Sequence, residues 1–250
     1  MRVALLTNKS ESALEALKVI NLSGHELIMC SLKSKDEGDY LNFFHQAESN
    51  INNFNNILIQ ENELYTHDIS NVDLVISYCY PSLIKEPFIS APTFGSINFH
   101  PAPLPQYRGF AVYNFAILNE EKQWGVTAHC VDSTFDTGDI IKINKFNINQ
   151  YETAESLRKK SHNHLLKLLG DVLNNFDLLF SKRRKQKGKS EYYSKSKMER
   201  FRKININDSS KDILLKIRAF WLPPYHGASI TIDQEEFTLV SSDILNQLKR

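Results

Sequence analysis

"RVALLTNKSESALEALKVINLSGHELIMCSL", residues 2–32, decides the fold class. Its first seven residues form a short apolar run that suits a buried strand. Thr7, Asn8 and Ser10 then supply capping side chains, and "ESALEALKVI" (11–20) spaces Leu14, Leu17 and Ile20 on one helical face. Ser23-Gly24 breaks the helix, and "HELIMCSL" (25–32) reads as a second strand. A strand–helix–strand start is the signature of a parallel sheet with helices on its faces.

Further along, "NILIQ" (56–60), "VDLVISYCY" (72–80), "GSINFH" (95–100), "GVTAHCVD" (125–132) and "GDIIKINKFNI" (138–148) read as strands. "SLIKEPFI" (82–89) is expected as a short helix ended by Pro87, "FAVYNFAILN" (110–119) as a buried helix, and residues 33–53 as polar with a weakly helical centre. A long helix is expected over 153–180, capped by Thr153 with Glu155 or Ser156. From 182 to 203 there are eleven Lys/Arg against two Glu, which reads as a solvated connector. Beyond it, "SSKDILLKIRAF" (209–220) is an amphipathic helix, "WLPPYHG" (221–227) a rigid turn, and "ASITI" and "EFTLV" flank "DQE" as a hairpin. The expected class is α/β: a Rossmann-like, mostly parallel sheet with helices on both faces, plus a short C-terminal helix and β-hairpin. The expected division is 1–181, 182–208 and 209–250: a main α/β domain, a basic connector, and a C-terminal helix with a β-hairpin.

The 250 residues are 42% hydrophobic and 24% charged, with a net charge of +1. A sizeable core is affordable, and no global charge draws the chain to nucleic acid or a membrane. Cys30, Cys79 and Cys130 are odd in number and far apart, in the pattern of reduced thiols in the cytosol. No spacing suggests a metal site, and no run has the length of a signal peptide or membrane span.

The chemistry concentrates at "NFHPAPLPQYRG" (98–109). Pro101, Pro103 and Pro105 forbid a helix, so the stretch is a stiff loop. Asn98 and His100 are two residues apart on the preceding strand and face one side. They lie where a parallel sheet places its ligand crevice. An Asn amide can hold an oxyanion and a His can move a proton near neutral pH. Asp132, Asp136 and Asp139 crowd the loop "DSTFDTGDII" (132–141), with Asp136 at its middle. An Asn/His/Asp set without a Ser or Cys nucleophile suits acyl transfer straight onto a substrate amine, with the carboxylate orienting the His and raising its basicity.

"INFHPAPLPQYRG" followed by "GVTAHCVDSTFDTGDII" resembles the formyltransferase family that uses N10-formyltetrahydrofolate. The shared pattern is Asn-x-His-Pro, then Leu-Pro-x-x-x-Gly, then Asp-x-Gly. The resemblance implies a catalytic set of Asn98, His100 and Asp136, with formyltetrahydrofolate as co-substrate and no metal. It implies folate contacts around residues 77–84 and 132–136, namely Tyr78, Cys79, Tyr80, Ile84 and Asp132.

Members of that family differ in the amine they formylate. The hydrolase branch is discounted because the chain starts directly with its first strand, and "TNKSES" (7–12) lacks the glycine-rich cradle of the glycinamide ribonucleotide branch. Asn8, Lys9 and Ser10 can still hold a phosphate beside a helix N-terminus. "LLKIRAFWLPPYHGASI" (214–230) resembles the tail of nucleotide-sugar N-formyltransferases, closest to those acting on dTDP-4-amino-4,6-dideoxyhexoses. The implied acceptor is a nucleotide-linked amino sugar, best matched by dTDP-4-amino-4,6-dideoxyglucose, for surface polysaccharide or O-antigen synthesis. Trp221 and Tyr225 offer flat faces for a base, or pack the tail onto the core; Arg108 and Arg218 can pair with a diphosphate, beside Gln106 and Tyr107. The alternative acceptor is methionyl-tRNA, which the short basic connector disfavours. A homodimer that covers the hairpin edges, in the cytoplasm, completes the expectation.

Overall fold

The computed structural model describes residues 1–33, 45, 47 and 57–248. The weak helix expected over 33–53 falls almost wholly outside them.

The opening motif folds as its pattern dictates: β1 (Arg2–Asn8), α1 (Glu11–Leu22) and β2 (Glu26–Lys33). Ser10 caps α1 by accepting from the Ala13 amide. Alternation along β1 sends Val3 and Leu5 to one core and Ala4 and Leu6 to another, on the opposite face. β3 (Leu58–Ile59), β4 (Leu74–Tyr78), β5 (Ser96–His100), β7 (Gln123–Cys130) and β8 (Ile140–Asn147) complete a seven-stranded sheet in the order β3-β2-β1-β4-β5-β7-β8. β3 to β5 are mutually parallel, β7 runs against β5, and β8 runs against β7. The chain leaves β1 for β2 on one side and returns as β4 on the other. The carboxyl ends of β1 and β4 therefore form the point where strand order reverses, the standard place for a crevice. Two bonds tie these ends: Thr7 Oγ1 donates to the Tyr78 carbonyl at 2.8 Å, and Asn8 Nδ2 to the Cys79 carbonyl at 3.0 Å.

Residues 82–89 make turns rather than the expected helix. Glu86 precedes Pro87, and the proline ring disfavours helical backbone in the residue before it. α2 (Val112–Leu118) is the expected buried helix. α3 (Ala154–Asn174) starts with a reciprocal capping box between Thr153 and Ser156 and buries Leu157, Leu165, Leu168, Leu169 and Val172. The expected long helix breaks at Asn175 and resumes as α4 (Phe176–Ser181).

The basic stretch 182–203 carries more structure than a solvated connector. Arg184 exchanges backbone hydrogen bonds with Ile140 at 2.8 and 2.9 Å. Further on, β9 (Tyr192–Tyr193) pairs in parallel with β6 (Arg108–Gly109), and α5 (Lys195–Arg202) follows. α6 (Ser210–Phe220), capped by Ser209, and α7 (Ser242–Leu248) flank the antiparallel hairpin β10 (Ser229–Ile232) and β11 (Glu235–Thr238). Its turn is Asp233-Gln234, both at positive φ, as a two-residue hairpin turn demands. Ile217, Phe220, Ala228 and Ile244 share the apolar cluster of Val3 and Leu5, so the tail is packed into the same core as the sheet. Among the described residues no helix is long and apolar enough to cross a membrane.

Candidate active site

A cavity of about 540 Å³ opens at the reversal point. Asn98 and His100, at the carboxyl end of β5, and Asp136, on the loop between β7 and β8, line it together.

Asn98 is held on every side. Its Oδ1 accepts from Ser77 Oγ at 2.8 Å, which fixes the amide orientation. Its Nδ2 donates to His129 Nε2 at 3.0 Å and reaches Asp136 Oδ1 at 3.4 Å. His129 lies directly opposite Asn98 in the β5–β7 register. His129 Nδ1 lies 2.8 Å from the Cys130 carbonyl, which can only accept, so Nε2 is free to accept from Asn98.

His100 is 5% exposed, and its Nε2 donates to the Tyr107 carbonyl at 2.7 Å. That bond fixes the tautomer and leaves Nδ1 as the basic nitrogen, 3.5 Å from Asp136 Oδ1. Burial pushes the imidazole below its usual value, and the attraction of Asp136 opposes this without reversing it. The carboxylate does raise the basicity of His100 as expected, but desolvation of the cation outweighs the neighbouring charge.

Burial would raise the Asp136 carboxyl, but the His100 and His129 imidazoles and the Gly109 amide hold it below its ordinary range. Asp136 Oδ2 accepts from the Gly109 N–H at 2.9 Å. Asp136 sits at φ 56, a left-handed conformation that Asp tolerates better than most residues. Its loop comes so close to β7 that a Cβ on Gly138 would meet the Cys130 carbonyl oxygen at 1.9 Å. Gln186 clamps the loop from outside, with Nε2 donating to the carbonyls of Asp136 at 3.0 Å and Gly138 at 2.8 Å. Its Oε1 accepts from Arg108 at 2.6 Å. The assembly presents an amide N–H and a neutral imidazole nitrogen to one cavity, with a buried carboxylate behind them. It can hold an oxyanion and take up a proton.

The other expected site residues divide. Cys79, Tyr80, Ile84, Asn8 and Tyr225 line the cavity. Tyr78 does not: it is fully buried, and its hydroxyl meets Ser12 Oγ at 2.7 Å on the far side of β4 from Ser77. Asp132 is spent in a turn, accepting from Thr134 and Thr137. Ser10 is a helix cap, and exposed Lys9 stands beside it outside the cavity lining. Gln106 is exposed beside Leu104 and Arg184, away from the cavity. Tyr107 stacks on Tyr193 and binds Glu121 through its hydroxyl, so only its backbone serves the site. Arg218 donates to the carbonyls of Gln150 and Glu152 beside a different groove. Trp221 donates to Glu155 and packs the tail against α3. Ser77, His129, Gln186 and, on α3, Arg158 and His162 went unforeseen. His129 alternates with Thr127 on a strand, but only the antiparallel register brings it to Asn98.

The formyl transferase family model matches residues 2–173. The chain belongs to the formyl transferase family. Among its relatives, the methionyl-tRNA formyltransferase of Ehrlichia ruminantium is 33% identical over 151 residues, 60% of this chain and 48% of that protein. The chain thus matches about half the length of that relative. The GDP-perosamine N-formyltransferase of Brucella melitensis is 32% identical, over 71% of this chain and 68% of that one. The N-formyltransferase of Helicobacter canadensis, solved with folinic acid and dTDP-3-aminofucose, is 25% identical with a TM-score of 0.72, covering 94% of this chain and 85% of that chain. A 4-N formyltransferase from Francisella tularensis superposes with a TM-score of 0.78 over 96% of this chain and 97% of its own, at 19% identity, a likeness of fold. The region matched to the family contains Asn98, His100 and Asp136 but stops short of Gln186.

Proposed function

We propose that this chain moves the formyl group of N10-formyltetrahydrofolate onto the amine of a nucleotide-linked amino sugar. The observation that carries the reading is the convergence of Asn98, His100 and Asp136 on one cavity within the family-matched region. The amine attacks the formyl carbon and the carbonyl oxygen becomes an oxyanion. The Asn98 Nδ2 hydrogen now spent on the 3.4 Å contact with Asp136 is the one that oxyanion takes over. His100 Nδ1 accepts the amine proton, and Asp136 stabilises the imidazolium so formed. The proton then passes to N10 as the carbon–N10 bond breaks, leaving tetrahydrofolate and a formamide. The apolar side chains Leu83, Ile84 and Val131 suit the faces of the pterin.

The sugar branch is favoured by near end-to-end likeness to the Helicobacter N-formyltransferase. Within it, dTDP-4-amino-4,6-dideoxyglucose is the proposed acceptor, in surface polysaccharide synthesis in the cytoplasm. Ile232 and Phe237 stand half exposed on the hairpin, and a second copy covering it gives the proposed homodimer. The deciding experiment incubates the protein with formyltetrahydrofolate and a panel of dTDP-, UDP- and GDP-linked amino sugars. A product heavier by one formyl group is expected from a dTDP-linked sugar. Formylation of methionyl-tRNA alone would overturn the sugar reading.

A further inference from the structure

The cavity has a second polar wall that the chemistry above does not use. Arg158 and His162, one turn apart on α3, line it with Tyr113 of α2 and Asn8 at the end of β1. Three of these side chains carry fully buried polar atoms with no hydrogen-bond partner: Arg158 Nε, the Tyr113 hydroxyl and Asn8 Oδ1. Tyr113 is 8% exposed as a whole residue, and among the described residues no carboxylate pairs with Arg158. The four groups share one environment. Arg158 is felt by Tyr113, and both burial and Arg158 push His162 down to about 4, so His162 is neutral near pH 7. Buried polar atoms left unpaired are rare, and three of them gather around this one cavity. An unpaired guanidinium and a phenol both donate, which calls for an anion. Asn8 Oδ1 can only accept, since its Nδ2 already donates to Cys79, which calls for a hydroxyl.

Resting on the proposed function, we infer that Arg158, Tyr113 and Asn8 form a glycosyl-phosphate subsite of the acceptor. Arg158 and the Tyr113 hydroxyl take phosphate oxygens, and a sugar hydroxyl donates to Asn8 Oδ1. The subsite holds the sugar end of the acceptor while its amine meets the formyl carbon.

The test is calorimetric binding of glucose 1-phosphate, with 5-formyltetrahydrofolate as the control ligand, to the full chain. Arg158→Met should weaken glucose 1-phosphate roughly 10- to 100-fold, as loss of charge-assisted hydrogen bonds implies. Tyr113→Phe, which removes only the hydroxyl, should weaken it by about tenfold, with thermal melting confirming that each variant folds. Binding of 5-formyltetrahydrofolate should stay within about twofold, since no folate group is assigned to this wall. The inference is overturned if wild type does not bind glucose 1-phosphate, if the folded variants bind it equally well, or if they lose 5-formyltetrahydrofolate instead. Arg158-dependent glucose 1-phosphate binding without formyl transfer to any sugar would sink the proposed function and leave the subsite standing.

Discussion

The two polar walls of the cavity are built on opposite plans. On the sheet wall, Asn98, His100 and Asp136 place every side-chain polar atom but one, His100 Nδ1, on a hydrogen-bond partner. On the helix wall, Arg158, Tyr113 and Asn8 leave buried polar atoms without one. A wall bonded within itself holds its geometry before a substrate arrives, which is what stabilisation of a developing charge requires. A wall with open bonds gains its stabilisation only from what enters. On the proposed function, chemistry and recognition are divided between one strand end and a facing wall built from two helices and the end of β1.

The largest effect should come from breaking the sheet wall. Asn98→Ala or His100→Ala is expected to lower kcat by roughly 10²- to 10⁴-fold, with circular dichroism unchanged. Near-normal turnover in either variant would remove the proposed roles. The next effect is shared by both walls and appears with pH. His100 and His162 are held neutral in the folded chain, whereas in the unfolded chain they charge below about 6.5. The unfolded chain therefore binds more protons there, and stability should fall as pH drops from about 6.5 towards about 4, with the depressed Asp136 carboxyl continuing the loss at lower pH. His162 alone should account for on the order of 3 kcal/mol of that loss. Denaturant titrations across the window should show a flatter slope in His162→Gln. Smaller still is Gln186→Ala, which frees two carbonyls of the Asp136 loop and should lower unfolding free energy by about 1–3 kcal/mol, with kcat hurt more than KM. An effect on KM alone would show that the clamp does not position Asp136. Thr153→Ala, distant from both walls in function, should lower unfolding free energy by about 1 kcal/mol and leave kcat unchanged.

The sheet wall was readable in the sequence and the helix wall was not, for a physical reason. Asn98 and His100 share a strand face by the period of two. Local rules of this kind also predicted the caps at Ser10 and Thr153. His129 and Arg158 depend on register and on helix rotation against the sheet, which no local pattern encodes. Trp221 and Arg218 misled for a related reason. A flat ring or a cation advertises a binding site in a sequence, yet here one anchors the tail on Glu155 and the other binds backbone carbonyls. Tyr78 and Tyr80 look alike in sequence, but β4 ends at Tyr78, which faces the core, and the left-handed backbone of Cys79 (φ 52) turns Tyr80 to the cavity.

The pairing of β6 with β9 bears on how such a protein is divided into transferable parts. Gly109 gives its N–H to Asp136, and the strand that holds Gly109 in place is supplied by residues 192 and 193, with Gln186 bracing the same loop. All of these braces lie past residue 173, where the family match ends. The segment recognisable by descent and the segment that assembles the reaction centre are therefore of different lengths. A graft of residues 2–173 into another host would carry Asn98, His100 and Asp136 intact and leave behind the backbone that aims the carboxylate.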